Sequence, residues 1–177
     1  MTLNEYAALA QRTASTKTRQ DKIGHGVLGL IGEAGEIVDI IKKMKYMGMP
    51  EELAREKLVD EAGDFSWYLV ELCTGLGYGI EIVFTNASTW HTTNLTVAEA
   101  AVDLVGRAAD LYLEDTDDLF MECRMGDVED VVCCYLDLLD LANIDGQEVL
   151  THNIDKLRKR YPEGFDAERS NVRYEHE

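Results

Sequence analysis

Apolar residues recur at intervals of three to four positions through most of this chain, and no segment alternates with the period of two that a half-buried strand requires. The pattern predicts an all-α fold. Thr2 opens a short amphipathic helix carrying Leu3, Tyr6, Ala7, Leu9 and Ala10, and the polar run from Thr13 to Gln20 ends it. From about Asp21 to Tyr46, a stripe of Leu28, Ile31, Ala34, Val38, Ile41 and Met44 marks a second helix, closed by Gly48. Pro50 suits the first turn of a third helix, whose positive end Glu51 and Glu52 complement. Its stripe runs through Leu58, Ala62, Phe65, Leu69 and Leu72 and stops near Gly75, Gly77 and Gly79.

Residues 85–96, TNASTWHTTNLT, have no such stripe and read as a connector. Beyond them the spacing predicts helices from Val97 to Leu113, Gly126 to Ala142 and Gly146 to Tyr161, the last stopped by Pro162 and Gly164. The chain therefore divides into a first helical unit (1–84), the connector, a second unit packed on the first (97–164) and a polar tail (165–177). A shift of 66 positions, from 33 to 99, lays Glu33-Ala34 over Glu99-Ala100, and Glu61 and Asp64 over Asp127 and Asp130. Glu36 falls on Val102. We read this as a duplicated helical unit, a pseudo-dimer within one chain, whose second half has lost a carboxylate.

The 177 residues suffice for one substantial core, and two prolines with 29% charged residues fit a strongly helical protein. A net charge of -17 argues against a nucleic-acid polymer or an anionic membrane surface as partner, because both require neutralisation of phosphates by Lys and Arg. A small polyanion remains compatible when divalent cations bridge it to protein carboxylates. The four cysteines, Cys73, Cys123, Cys133 and Cys134, match no zinc or disulfide framework and are expected to be reduced core residues. With no signal-peptide pattern at Met1 to Arg12 and no apolar run near ~18 residues, a cytoplasmic protein is expected.

Within the apolar stripes lie two acidic pairs, Glu33-Ala34-Gly35-Glu36 and Glu61-Ala62-Gly63-Asp64. Each places its carboxylates at i and i+3, on one face of a helix. Facing one another on antiparallel helices, four carboxylates cannot stay buried and ionised without cations between them, and oxygen-only ligands suit Mg2+ or Mn2+. A glycine inside each pair costs about 1 kcal/mol relative to alanine, which close approach of the two helices would explain. For an arbitrary acidic pair, solvated surface residues would be the better reading. The doubled pattern inside apolar stripes reverses that.

These residues resemble the MazG-like members of the all-α nucleoside triphosphate pyrophosphohydrolases, which carry E-x-x-E on one helix and E-x-x-D on the next. GLIGEAGEIVDIIKK and DEAGDFSWYL fit that pattern, and NIDKLRKRYPEGF is similar to the family's C-terminal segment. The resemblance covers about Leu3 to Tyr78 and Asn153 to Arg173; the stretch between departs from the shortest members. It implies magnesium-dependent attack of water at the α-phosphorus of a nucleoside triphosphate, releasing pyrophosphate. Glu33, Glu36, Glu61 and Asp64 would be metal ligands and catalytic residues, Tyr68 would touch the nucleotide, and Asn153, Lys156 and Arg160 would close over it. A pseudo-dimer would build its site from first-half carboxylates and second-half Asn153 and Lys156. Lys43, with Lys42 and Lys45, is a further phosphate candidate, although basic residues also belong at a helix C-terminus.

Weaker signals surround this set. Gly24-His25-Gly26-Val27-Leu28-Gly29 matches G-x-G-x-x-G, but no strand precedes it, which excludes a dinucleotide fold. His25 is a candidate for contact with the base, against a structural role. Trp67 and Trp90 are candidates for stacking on a base, against core positions; Trp67, near Asp64, is the stronger. No Glu-x-x-His is present for a di-iron bundle. Three functions compete: a nucleotide-pool pyrophosphohydrolase, with dUTP hydrolysis as a variant; a nucleotide- or metal-binding regulator without turnover; and a structural bundle. The chain as monomer, homodimer or higher assembly is left open.

Overall fold

A computed structural model describes residues 1–87, 94–113 and 125–166. Within them the chain is all-helical, as the periodicity predicts: α1 (Leu3–Ala10), a 3-10 turn (Gln11–Thr13), α2 (Arg19–Met47), α3 (Glu51–Leu76), α4 (Ile80–Ala87), α5 (Val97–Leu113), α6 (Met125–Leu141) and α7 (Gly146–Arg160). Trp90, Cys123, part of the connector and the tail beyond 166 lie outside the described residues.

The boundaries have local causes. At the start of α1, Thr2 and Glu5 form a reciprocal capping box. The Thr18 side chain accepts from the Asp21 backbone and starts α2 two residues earlier than the stripe suggests. Gly48 (φ 73°) and Gly77 (φ 78°) close α2 and α3 in the left-handed region that glycine adopts without a Cβ penalty. Helix α4 is not foreseen by the sequence reading, which takes Gly75 to Gly79 as the end of regular structure and begins the connector at Thr85. Ile80, Val83 and Ala87 nevertheless make one buried stripe that helix formation covers.

Helices α2 and α3 form a long antiparallel hairpin, drawn tight at three glycines, of which Gly29 lies against the Tyr68 ring. A Cβ on Gly26 would lie 2.8 Å from Leu72, and one on Gly75 would lie 2.8 Å from Ile23. Helix α5 packs on α2 and pairs with α6. The third helices cross over: α7 lies on α3, and α4 lies on α6. Leu30, Ile37, Phe65, Leu69, Leu104, Val128, Val132 and Tyr135 belong to one buried apolar cluster that spans both halves. Tyr135 joins α6 to α3 directly, stacking on Phe65 at 4.9 Å and donating to the Ala62 carbonyl at 2.9 Å. Cys73 is buried, whereas Cys133 and Cys134 are half-buried; all three are free thiols. No single helix among the described residues is long and apolar enough to cross a membrane.

Candidate metal centre

Ala34 and Ala62 are buried at the α2–α3 seam, so the acidic residues beside them flank that seam. Ligand atoms of Glu33, Glu61 and Asp64 come within 4.8 Å of one another, all on half-buried side chains. Oxygen donors gathered this closely suit a small divalent ion such as Mg2+ or Mn2+, whose ligands stand at about 2.1 Å. Glu36 is exposed, one turn further along α2, and stands outside this grouping. It is still near enough for its charge to add to the upward push on Glu61.

The electrostatics favour a cation. Burial, then the charges of Asp64 and Glu61, raises the Glu33 carboxyl from its ordinary 4.5 to about 8. Glu61 is raised by burial and by Asp64 and Asp60. Without a cation, the cluster relieves its repulsion by keeping a proton.

Helix α7 supplies the opposite charge. Asn153, 0% exposed, donates from Nδ2 to Asp64 Oδ1 at 3.0 Å and accepts from the Tyr6 hydroxyl at 2.9 Å. Lys156 Nζ bridges Asp64 Oδ2 at 2.8 Å and Asp60 Oδ1 at 2.7 Å. Gly63 makes this approach feasible, because a Cβ there would lie 2.9 Å from the Asn153 Cβ. The sequence argument assigned the glycines of both acidic pairs to contact between α2 and α3. In fact Gly63 admits α7, Gly35 faces open space, and α2 and α3 meet at Gly26, Gly29 and Gly75.

A cleft of about 240 Å3 opens beside the carboxylates, with Glu33 and Asp64 in its wall. His25, Trp67 and Tyr68 meet edge to face, at centroid separations of 5.1 to 5.8 Å. Trp67 is fixed by donation from Nε1 to Thr13 Oγ1 (2.9 Å) and the Ala10 carbonyl (3.2 Å). Arg160, Tyr161 and Phe165 complete the rim. Phe165 is tied back by its backbone N–H to the Arg12 carbonyl at 3.3 Å, so the chain is anchored at the first residue of the expected polar tail. Lys43 is not brought to the site; it pairs with Asp39 on the outer face of α2, as does Lys42.

Behind the aromatic wall, Glu71 is 0% exposed and accepts from Gln11 Nε2 (2.7 Å), Lys22 Nζ (3.3 Å) and the Thr16 hydroxyl. Burial opposes its ionisation, but the His25 ring, Thr16, Gln11 and Lys22 together hold it at about 2. His25 Nδ1, 3.8 Å from Glu71 Oε1, is within ion-pair range but beyond hydrogen-bond reach, and it has no hydrogen-bond partner among the described residues. A charge in the apolar run Leu69-Val70-Glu71-Leu72 was a legible sign of this buried network, and it went unread. Asp60 was also missed.

The second half offers no equivalent grouping among the described residues. Glu99 is engaged in a capping box with Thr96, Asp130 faces Arg107 at 3.5 Å, and Val102 is exposed. Comparison with protein-family models, with curated proteins and with solved structures finds no match.

Proposed function

We propose that this chain is a divalent-metal-dependent nucleoside triphosphate pyrophosphohydrolase of the MazG-like kind. The observation that carries the reading is the convergence of Glu33, Glu61 and Asp64, with a strongly raised carboxyl among them, beside an aromatic cleft whose wall includes Glu33 and Asp64. Glu33, Glu61 and Asp64 would hold Mg2+ or Mn2+, with Glu36 reaching in from the adjoining turn. The ion, when bound, offsets phosphate charge and acidifies a coordinated water.

The chain's own groups do the rest. His25, Trp67 and Tyr68 offer ring faces and edges to a base. Arg160 lines both the base cleft and a neighbouring groove of His152, Asp155, Lys156 and Lys159, whose excess of cations would meet phosphate oxygens. Asn153 fixes Asp64 through Oδ1, while Oδ2 is met by the Lys156 ammonium. A carboxylate of the cluster accepts a proton from the attacking water, the bond from the α-phosphorus to the α–β bridging oxygen breaks, and pyrophosphate leaves along α7.

Internal duplication fits the same reading. Under the shift of 66, the start of α7 at Gly146 falls on the start of α4 at Ile80, while α5 and α6 fall within α2 and α3. The crossed packing of α7 on α3 and α4 on α6 is the reciprocity that a pseudo-twofold would produce. The test is incubation with Mg2+ and a panel of common, deoxy and modified nucleoside triphosphates, with pyrophosphate and orthophosphate measured separately. Pyrophosphate release that disappears in Glu61→Gln supports the proposal, and the panel ranks the bases, dUTP included. Orthophosphate alone contradicts it, and metal binding without any release leaves a regulator.

A further inference from the structure

Lys156 is the cation closest to the carboxylate trio. Its side chain is only 16% exposed, and its ammonium sits 2.8 Å from Asp64 Oδ2 and 2.7 Å from Asp60 Oδ1. An ammonium and a divalent ion on the same Asp64 carboxylate repel one another. One must give way.

Asp60 provides the place to go. It lies outside the trio, its side chain is 40% exposed, and it also pairs with His152 Nε2 at 3.0 Å. A lysine that releases Asp64 and stays on Asp60 remains beside the groove it shares with Lys159 and Arg160. Its flexible stem and rotatable ammonium suit such a short transfer better than the rigid fork of an arginine would.

We propose that Lys156 is the resident cation of the metal-free cluster, and that Asp60 is a positioning residue that receives it when a divalent ion takes its place. The proposal rests on reading Glu33, Glu61 and Asp64 as a divalent-ion site. Metal loading is thus an exchange of one cation for another, and it leaves Lys156 facing the phosphate groove. Metal affinity is lowered by the competing lysine and partly restored by Asp60, which makes the two residues energetically coupled.

The experiment is calorimetric titration of the full chain with Mn2+ alone, without nucleotide, for wild type, Lys156→Gln, Asp60→Asn and the double variant. We expect Lys156→Gln to bind Mn2+ about tenfold tighter and Asp60→Asn about fivefold weaker, with the Asp60 effect shrinking below about twofold once Lys156 is gone. Lys156→Gln within twofold of wild type overturns the exchange. So does an Asp60→Asn effect of equal size in both backgrounds, since that is ordinary through-space charge. If Lys156→Gln does not fold, Lys156→Arg serves instead. Its fork should hold Asp60 and Asp64 together and weaken Mn2+ binding, and unchanged affinity there overturns the proposal. Absence of Mn2+ binding in wild type overturns the divalent-ion reading itself, whereas binding and turnover without the coupling overturn only the exchange.

Discussion

Asn153 and Asp64 stand 89 positions apart in the chain, and the amide of the first donates to the carboxylate of the second at 3.0 Å. The contact joins the last helix of the second half to the acidic helix of the first. It also passes back to α1, since the Tyr6 hydroxyl donates to Asn153 Oδ1. Replacing Asn153 by Ala removes both interactions from a fully buried position and should cost about 1–3 kcal/mol, measured as a lower urea midpoint at constant m. Asn153→Asp should cost more, because it sets a second carboxylate against Asp64.

Two glycines in equivalent sequence contexts should behave oppositely. Gly63→Ala forces a Cβ to within 2.9 Å of Asn153 and should destabilise by about 1–3 kcal/mol. Gly35→Ala meets nothing within 4 Å on an exposed turn of α2 and should stabilise by up to about 1 kcal/mol. Thermal melts of the two variants decide the matter; equal shifts would remove Gly63 as the point of entry for α7.

The Glu33 carboxyl gives the metal-free protein a distinctive pH response. Its value in the folded state, about 8, lies above the ordinary 4.5, so its contribution is fully present below 4.5 and is lost as pH rises through 8. Allowing for partial solvent screening, the loss is about 1–2 kcal/mol, or roughly 3–6 °C in Tm between pH 5 and 9. Glu33→Gln should flatten that decline. Saturating Mg2+ should abolish it in wild type and, at pH 7, release close to one proton, seen as a buffer-dependent heat that fades above pH 9.

Glu71 governs the acid side. Its carboxyl is held at about 2, below its ordinary 4.5, so its stabilisation is present above 4.5 and is lost as pH falls toward 2. Glu71→Leu strands the Lys22 ammonium and the Gln11 and Thr16 donors and should cost about 3 kcal/mol. Lys22→Met with Glu71→Leu should recover part of the loss in a double-mutant cycle. Full additivity of the two would show that the ion pair contributes no coupling.

The sequence carries the helices well because their ends are marked by residues with a single physical function, Thr2 and Thr18 as caps and Gly48 and Gly77 as left-handed stops. It carries three of the four expected ligands together, because Glu33, Glu61 and Asp64 flank alanines that the core must bury. It does not distinguish Glu33 from Glu36, since i and i+3 differ by most of a turn and only the crossing of α2 and α3 decides which points inward. Asp60 is unreadable for a related reason. An acid one turn before another on a helix looks the same whether it meets water or Lys156. Lys43 is ambiguous in the sequence because a basic residue near a helix end can have a sufficient local partner, here Asp39.

The crossed third helices also set the order in which this site can come into being. The acidic residues of the cluster are all in the chain once Asp64 has been added, but Asn153 and Lys156 follow only with α7, the last of the described helices. A nascent chain ending in the middle region would carry concentrated negative charge with neither its amide anchor nor its internal ammonium. The chain's own neutralising groups arrive only with α7, so assembly of the centre waits until synthesis has passed that helix.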